Sequence, residues 1–243
     1  MEDRYFQTNI IDFSETKHDK STYSIFGGSI VSEGSTLNAR QFATQGSREK
    51  MAAQIFTGTE HFRSGVSKVT KDTPEPYKKV QSWLQVSYQN ETYHKVSPKF
   101  TLGAYLEAYY SSRNFSNNYT ATLMQAGEFT PTAHSKVTYN EAFRANQYAG
   151  VGAIPIYQLS ESFQLRGEFY GFIPIFPIKK DEYGQAYYGK AFTKFEYLGE
   201  ISLVFQLSFG SISAYVNHYS SPSNDWNVGL TLGWQLFNSR FIE

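Results

Sequence analysis

Trp226-Asn-Val-Gly-Leu-Thr-Leu-Gly-Trp-Gln-Leu-Phe237 is the stretch that decides the fold. Trp226, Val228, Leu230, Leu232, Trp234 and Leu236 share one parity, and Asn227, Gly229, Thr231, Gly233 and Gln235 share the other. Side chains alternate across a strand, so this pattern sets an apolar medium on one side and a polar one on the other. Working back from it, the same rule returns. In Phe195–Phe209, Phe195, Tyr197, Gly199, Ile201, Leu203, Phe205, Leu207 and Phe209 oppose Glu196, Glu200, Ser202, Gln206 and Ser208, with Leu198 and Val204 as exceptions. In Phe163–Ile173, Phe163, Leu165, Phe169 and Ile173 oppose Gln164, Arg166, Glu168 and Tyr170. Phe100, Leu102, Ala104, Leu106 and Ala108 oppose Thr101, Tyr105, Glu107 and Tyr109, while Leu84, Val86 and Tyr88 oppose Gln85, Ser87 and Gln89. Weaker strands are expected at about 22–32, 49–62, 119–127, 147–158 and 211–219, with short ones near 36–44 and 135–142. The total is roughly ten to twelve antiparallel strands. At about 3.3 Å per residue, the Phe195–Phe209 run reaches roughly 50 Å, beyond the usual length of a soluble strand and suited to a tilted membrane strand.

The chain has 243 residues, of which 17% are aromatic and 18% charged, and its 22 basic residues balance 22 acidic ones. No run of about 20 apolar residues exists, so a transmembrane helix is excluded, whereas a transmembrane β-barrel needs only every second residue apolar. Zero net charge removes the electrostatic footprint of a nucleic-acid binder. The absence of cysteine excludes disulfides, thiolate metal sites and cysteine nucleophiles. The polar start Met1-Glu2-Asp3-Arg4 is not an export signal, which predicts a fragment or the C-terminal part of a longer precursor. Connections alternate in length: Gln158–Ser162 and Phe209–Ser211 are tight, while Gly65–Lys79, Pro177–Ala191 and Tyr219–Asp225 are longer and polar. That is the habit of outer-membrane barrels, with the longer loops outside.

These observations predict an all-β, antiparallel, transmembrane outer-membrane β-barrel, with residues 1–243 forming a single domain in contact with outer-membrane lipids. A soluble β-sandwich binding module also alternates and also turns every dozen residues. Strand length, aromatic apolar faces and the charges opposite them favour the barrel. In a barrel Glu107, Arg166, Glu168, Glu196 and Glu200 would line the lumen and set its electrostatics. Tyr109, Tyr110, Trp226 and Trp234 would form interfacial girdles. A stand-alone small porin or surface protein is the remaining alternative.

Three longer segments carry a family resemblance: Phe129-Thr-Pro-Thr-Ala-His-Ser135, Asn140-Glu-Ala-Phe-Arg-Ala-Asn-Gln-Tyr148 and Leu165-Arg-Gly-Glu-Phe-Tyr170. The ending, Asn224-Asp-Trp-Asn-Val-Gly229 with Leu236-Phe-Asn-Ser-Arg-Phe-Ile-Glu243, carries it as well, and Ser35-Thr-Leu-Asn-Ala-Arg-Gln-Phe-Ala43 more faintly. Together they resemble the C-terminal barrel of bacterial patatin-like phospholipases, a branch of the outer-membrane assembly-factor and two-partner-secretion superfamily. The resemblance implies the later part of a larger barrel, without its first strands and without the N-terminal domain that hydrolyses lipid esters. It also implies a bacterial outer-membrane location, a covalently linked lipase domain or self-association, and handling by the barrel assembly machinery. Phe143-Arg144-Ala145 resembles the superfamily's Arg-Gly-aromatic motif, with Ala for Gly, which would make Arg144 a lumen anchor partnered by Glu168 or Glu200. Asn227, Gly229, Leu232 and Trp234 match the terminal-strand signal that the assembly machinery reads.

Catalysis is not expected in this chain. The elbow Gly-x-Ser-x-Gly is missing, Gly27-Gly28-Ser29-Ile30-Val31 coming nearest, and none of the aspartates precedes a glycine. The histidines His18, His61, His94, His134 and His218 are scattered singly, so neither a metal nor another cofactor is expected. For His134 a local turn hydrogen bond is the expectation, and for His218 a place near the interface end of a lipid-facing strand.

Overall fold

In the computed structural model the described residues are 2–5, 18–63, 65, 77–116, 118–182, 184–221 and 226–234, and they form an all-β structure with one α-helix. Ten strands make one antiparallel sheet: β1 (Glu2–Tyr5), β2 (Asp19–Ser35), β3 (Gly46–Arg63), β4 (Tyr77–Ser97) and β5 (Phe100–Ser111), followed by β6 (Gln147–Gln158), β7 (Phe163–Pro174), β8 (Glu196–Leu207), β9 (Gly210–Tyr219) and β10 (Trp226–Trp234). Their spatial order is their chain order, each strand pairing with its sequence neighbours. Among the described residues no pairing joins β10 to β1 or β2, so the described ladder is an open meander.

The alternation read from the sequence fixes which way each strand faces. On β8 the positions Glu196, Leu198, Glu200, Ser202 and Val204 are buried, and Tyr197, Ile201, Leu203 and Phe205 are exposed. On β7 Gln164, Arg166, Glu168 and Tyr170 are buried, and Leu165 and Phe169 are exposed. Leu198 and Val204, the two apolar exceptions, therefore pack inside. Tyr110 and Trp226 face outward. Tyr109 does not: it lies on the inner face, stacked on Tyr148 at 5.3 Å, because it shares the parity of Tyr105 and Glu107.

Three short stretches differ from expectation. Residues 119–127 are not a strand: Tyr119–Gln125 is a helix, α1, whose Asn118 cap accepts a hydrogen bond from the Ala121 amide at 2.8 Å. Seven residues with two threonines carry no helical period, so the cap was the signal to read. Residues 135–142 are two 3-10 turns, Ser135–Val137 and Glu141–Phe143, and not a strand. Residues 36–44 are a loop between β2 and β3, not a strand. Of the expected outer loops, residues 66–76 and 222–225 lie outside the described residues, as do 235–237 of the last strand; Tyr77–Lys79 belong to β4.

In an antiparallel meander the connections fall alternately at two ends. One end holds the tight turns after β4, β6 and β8, together with loop 36–45. The other holds the long segments 112–146 and 175–195. Loop 36–45 folds inward. Gly46, at φ +93°, closes it in a conformation open to glycine, and the Asn38 carboxamide oxygen accepts from the amides of Thr44 and Gln45 at 3.0 and 3.1 Å. At its tip Phe42 adopts a left-handed φ of 53° and aims its carbonyl at the side chains of Gln164 and Gln206, each at 3.2 Å. The Ser211 hydroxyl on β9 donates to the Gln41 side chain at 3.1 Å. Six ladder steps separate β3 from β9, about 29 Å in a flat sheet, whereas half of such a loop reaches only about 17 Å. The sheet must therefore curl around its polar face.

Candidate functional site: a charged interior filled by two loops

The described residues of segment 112–146 fill the other end of the curled sheet and reach all ten strands. Gln125 donates to the Asp3 carboxylate on β1 at 2.6 Å. Arg113 lies over the rings of Tyr23 on β2 and Trp83 on β4, at 5.4 and 4.6 Å. Ala121 packs in one cluster with Phe62 of β3. Phe129, 2% exposed, meets Tyr105 of β5, Tyr148 of β6, and Tyr170 and Phe172 of β7, with ring centroids 5.5–6.3 Å apart. Burial of its body makes Phe129 the hub of the aromatic core. Gly150 leaves room for it, because a Cβ there would collide with the ring. Burial pulls the Arg113 guanidinium below its ordinary pKa and pushes the Tyr119 phenol, beside Glu141, up to about 12.

The wall charges are gathered in two groups. Arg166, 3% exposed, donates from Nε to Glu168 at 2.5 Å, from one terminal nitrogen to the Ala43 carbonyl at 2.9 Å, and from the other to the Tyr93 hydroxyl at 2.8 Å. The second Glu168 oxygen accepts from the Tyr170 hydroxyl at 2.7 Å. One guanidinium fork thus ties β7 to β4 and to loop 36–45, a use that lysine could not copy.

The second group centres on Glu200, 2% exposed on β8. Its carboxylate accepts from His134 Nδ1 at 2.8 Å, and His134 Nε2 meets the Thr231 hydroxyl on β10 at 2.7 Å. The imidazole stacks on Tyr215 of β9, centroids 3.4 Å apart. His134 therefore makes no mere local turn contact: it joins the loop to three wall strands. Its sequence neighbours gave no sign of this, because the hydrogen-bond partners of its ring lie 66 or more positions away. A hydroxyl, an imidazole and a carboxylate in line have the connectivity of a nucleophile relay. Here the ring is stacked and buried, and its contacts tie the loop to β8, β9 and β10.

Of the other expected site residues, Glu196 is buried and pairs with Lys194 at 3.3 Å and with the Ser220 hydroxyl. Arg144 is not partnered by Glu168 or Glu200. It sits in the loop, where it pairs with Glu128 at 2.7 Å, donates to the Leu123 and Met124 carbonyls, and covers the Tyr139 ring at 4.6 Å. The reason is local: Arg144-Ala145 pairs as a ribbon with Gly127-Glu128, which delivers its own carboxylate. Among the terminal-signal residues, Gly229 lies opposite Tyr215 and Leu232 is exposed outward. Among the described residues no three His, Asp or Glu side chains stand together as a metal site would need.

Gly229 has a definite steric task. A Cβ there would strike the Tyr215 ring, which His134 holds from its other face. Gly103 beneath Tyr93 and Gly152 beneath Tyr170 repeat the arrangement of a tyrosine laid over the glycine directly across the ladder. Gly229→Val should therefore cost about 1–3 kcal/mol of unfolding free energy by overpacking. Gly28→Ala, with open space above Gly28, should stay within about 1 kcal/mol of the parent. Denaturant titration of both variants checks the contrast.

Comparison with protein families, with characterised proteins and with solved structures gives no match.

Proposed function

We propose that this chain is the wall and plug of a bacterial outer-membrane β-barrel, whose task is to anchor a covalently linked patatin-like phospholipase domain at the membrane. The observation that carries the reading is the inverted distribution of polarity. Arg166, Glu168, Glu196, Glu200, Asn217 and Glu60 are buried on the inner face, while Ile30, Ile55, Leu84, Leu165, Phe169, Ile201 and Leu203 stand exposed on the outer one. A β-sandwich buries its apolar face beneath a second sheet; among the described residues no second large sheet covers this one. Contiguous exposed apolar surface on this scale marks contact with another apolar phase. Two aromatic rows bound the band, Tyr197, His218 and Trp226 at the long-loop end and Phe163 with Phe205 at the tight-turn end. Such rows suit the two headgroup levels of a bilayer. The anchoring role and the lipase partner rest on the resemblance of residues 129–135, 140–148, 165–170, 224–229 and 236–243, and more faintly of 35–43. The loops that occupy the interior argue against an open pore.

Refolding decides the reading. The expected result is native β-structure with heat-modifiable gel migration in phospholipid vesicles or detergent, aggregation in plain buffer, and no steady conductance across a planar bilayer. A monodisperse, folded chain in buffer without amphiphile would overturn it.

A further inference from the structure

The outer face of the sheet is not uniformly bulky. Where β6, β7 and β8 run side by side, outward positions are taken by Ala153, Gly171 and Gly199. The large outward side chains Phe169, Phe195 and Ile201 rise around this low ground and leave a groove of about 770 Å³. One end carries a rim that combines ring faces with polar tips: His218 packs between Tyr197 and Trp226, with centroids 5.8 and 4.8 Å away.

We propose that the groove holds one acyl chain of a zwitterionic glycerophospholipid, with its ester and headgroup at the Tyr197–His218–Trp226 rim. The proposal rests on the membrane reading above and adds a defined lipid site to it. Continuity is the first argument, since the groove opens directly into the exposed apolar band and can be filled only from the phase that covers that band. Dimensions are the second. From Val151 on β6 to Trp226 on β10 is four ladder steps, about 19 Å, against about 15 Å for half the hydrocarbon core. Charge is the third. Among the described residues neither Lys nor Arg lines the groove, so a headgroup with excess negative charge finds no partner among them.

The test uses the full chain refolded into vesicles of palmitoyl-oleoyl phosphatidylcholine, extracted in mild detergent and weighed by native mass spectrometry. Insertion is followed separately by heat-modifiable migration. Gly199→Leu fills the groove from a position where a Cβ has only ordinary contacts with Phe169, at 3.6 and 3.8 Å. Ala153→Leu fills it from another strand, and Ala214→Leu adds the same bulk to an outward position beyond it. The parent and Ala214→Leu are expected to retain one phosphatidylcholine, and each filling variant about tenfold less, the effect of displacing one or two methylenes. An inserted parent that retains no lipid, or filling variants that retain as much as the parent, would overturn the site and leave the membrane reading standing. Equal retention from phosphatidylglycerol vesicles would overturn the headgroup assignment. Failure of the parent to insert at all would remove the membrane reading and the site with it.

Discussion

Arg166→Ala should lower the unfolding free energy by about 3–5 kcal/mol, the usual result of stripping one partner from a buried ion pair. Three contacts vanish together. Glu168, 6% exposed, keeps only the Tyr170 hydroxyl as a described partner, the Ala43 carbonyl loses its donor, and the link from β7 to Tyr93 on β4 is cut. Arg166→Lys should also fall well short of the parent, since a single ammonium cannot meet a carboxylate, a carbonyl and a phenol held in three directions. Arg166→Met combined with Glu168→Met should recover much of the loss, because no buried charge is left alone. The double-mutant cycle, read from denaturant titrations in phospholipid vesicles, therefore has a large positive coupling. A loss below about 1 kcal/mol for Arg166→Ala would mean that the pair is solvated as a surface pair is, and that loop 36–45 does not seal the interior.

The wall was legible in the sequence and the interior was not. Strand β6 was expected at 147–158 and lies at Gln147–Gln158, and β9 was expected at 211–219 and lies at Gly210–Tyr219. A period of two is a local signal, readable whenever two media face one ribbon. It also separated Arg166, Glu168, Glu196 and Glu200 from the apolar face. Partner choice is different. Arg144 finds Glu128 through a two-residue ribbon, and His134 finds Glu200 and Thr231 across the curled sheet. Neither pairing leaves a periodic trace. Helix α1 was missed for a related reason: its buried Ala121, Thr122 and Leu123 meet Phe62 of β3, Ser116, and Ile178 of segment 175–195 respectively, with too few turns to show an amphipathic stripe.

Two of the segments on which the proposed kinship with the patatin-like phospholipase barrel rests belong mostly to the interior loop, while Leu165–Tyr170 lies on strand β7. Phe129–Ser135 and Asn140–Tyr148 contain the aromatic hub Phe129, the pinning His134, Asn140 with its reach to the Ser221 carbonyl, and Tyr148 with its hydrogen bond to Glu107. Many residues satisfy an outward position on a strand, since lipid or solvent makes no directional demand. A loop that must touch ten strands at once is confined to a few side chains of set length and hydrogen-bonding capacity. A distinctive sequence is therefore expected inside such a fold rather than on its wall.

What covers the wall can be read from a depth profile of arginine substitutions. Ile201 lies midway between the Tyr197 and Phe205 rows on β8, 47% exposed, facing Gly167 and Val216 across the ladder. In a bilayer, Ile201→Arg should cost about 2–4 kcal/mol, the penalty for a guanidinium at the midplane of a barrel wall, while Tyr197→Arg at the aromatic rim should cost about 0–1 kcal/mol. The difference arises because the rim side chain reaches headgroup water and the central one must drag water or headgroups inward. In aqueous solution no such gradient exists, and both exposed positions should shift stability by no more than about 0.5 kcal/mol. Guanidinium titration of the parent and both variants in phosphatidylcholine vesicles measures the two costs side by side. A flat profile would place water against the outer face, and the apolar rows of β7, β8 and β10 would then need a protein partner.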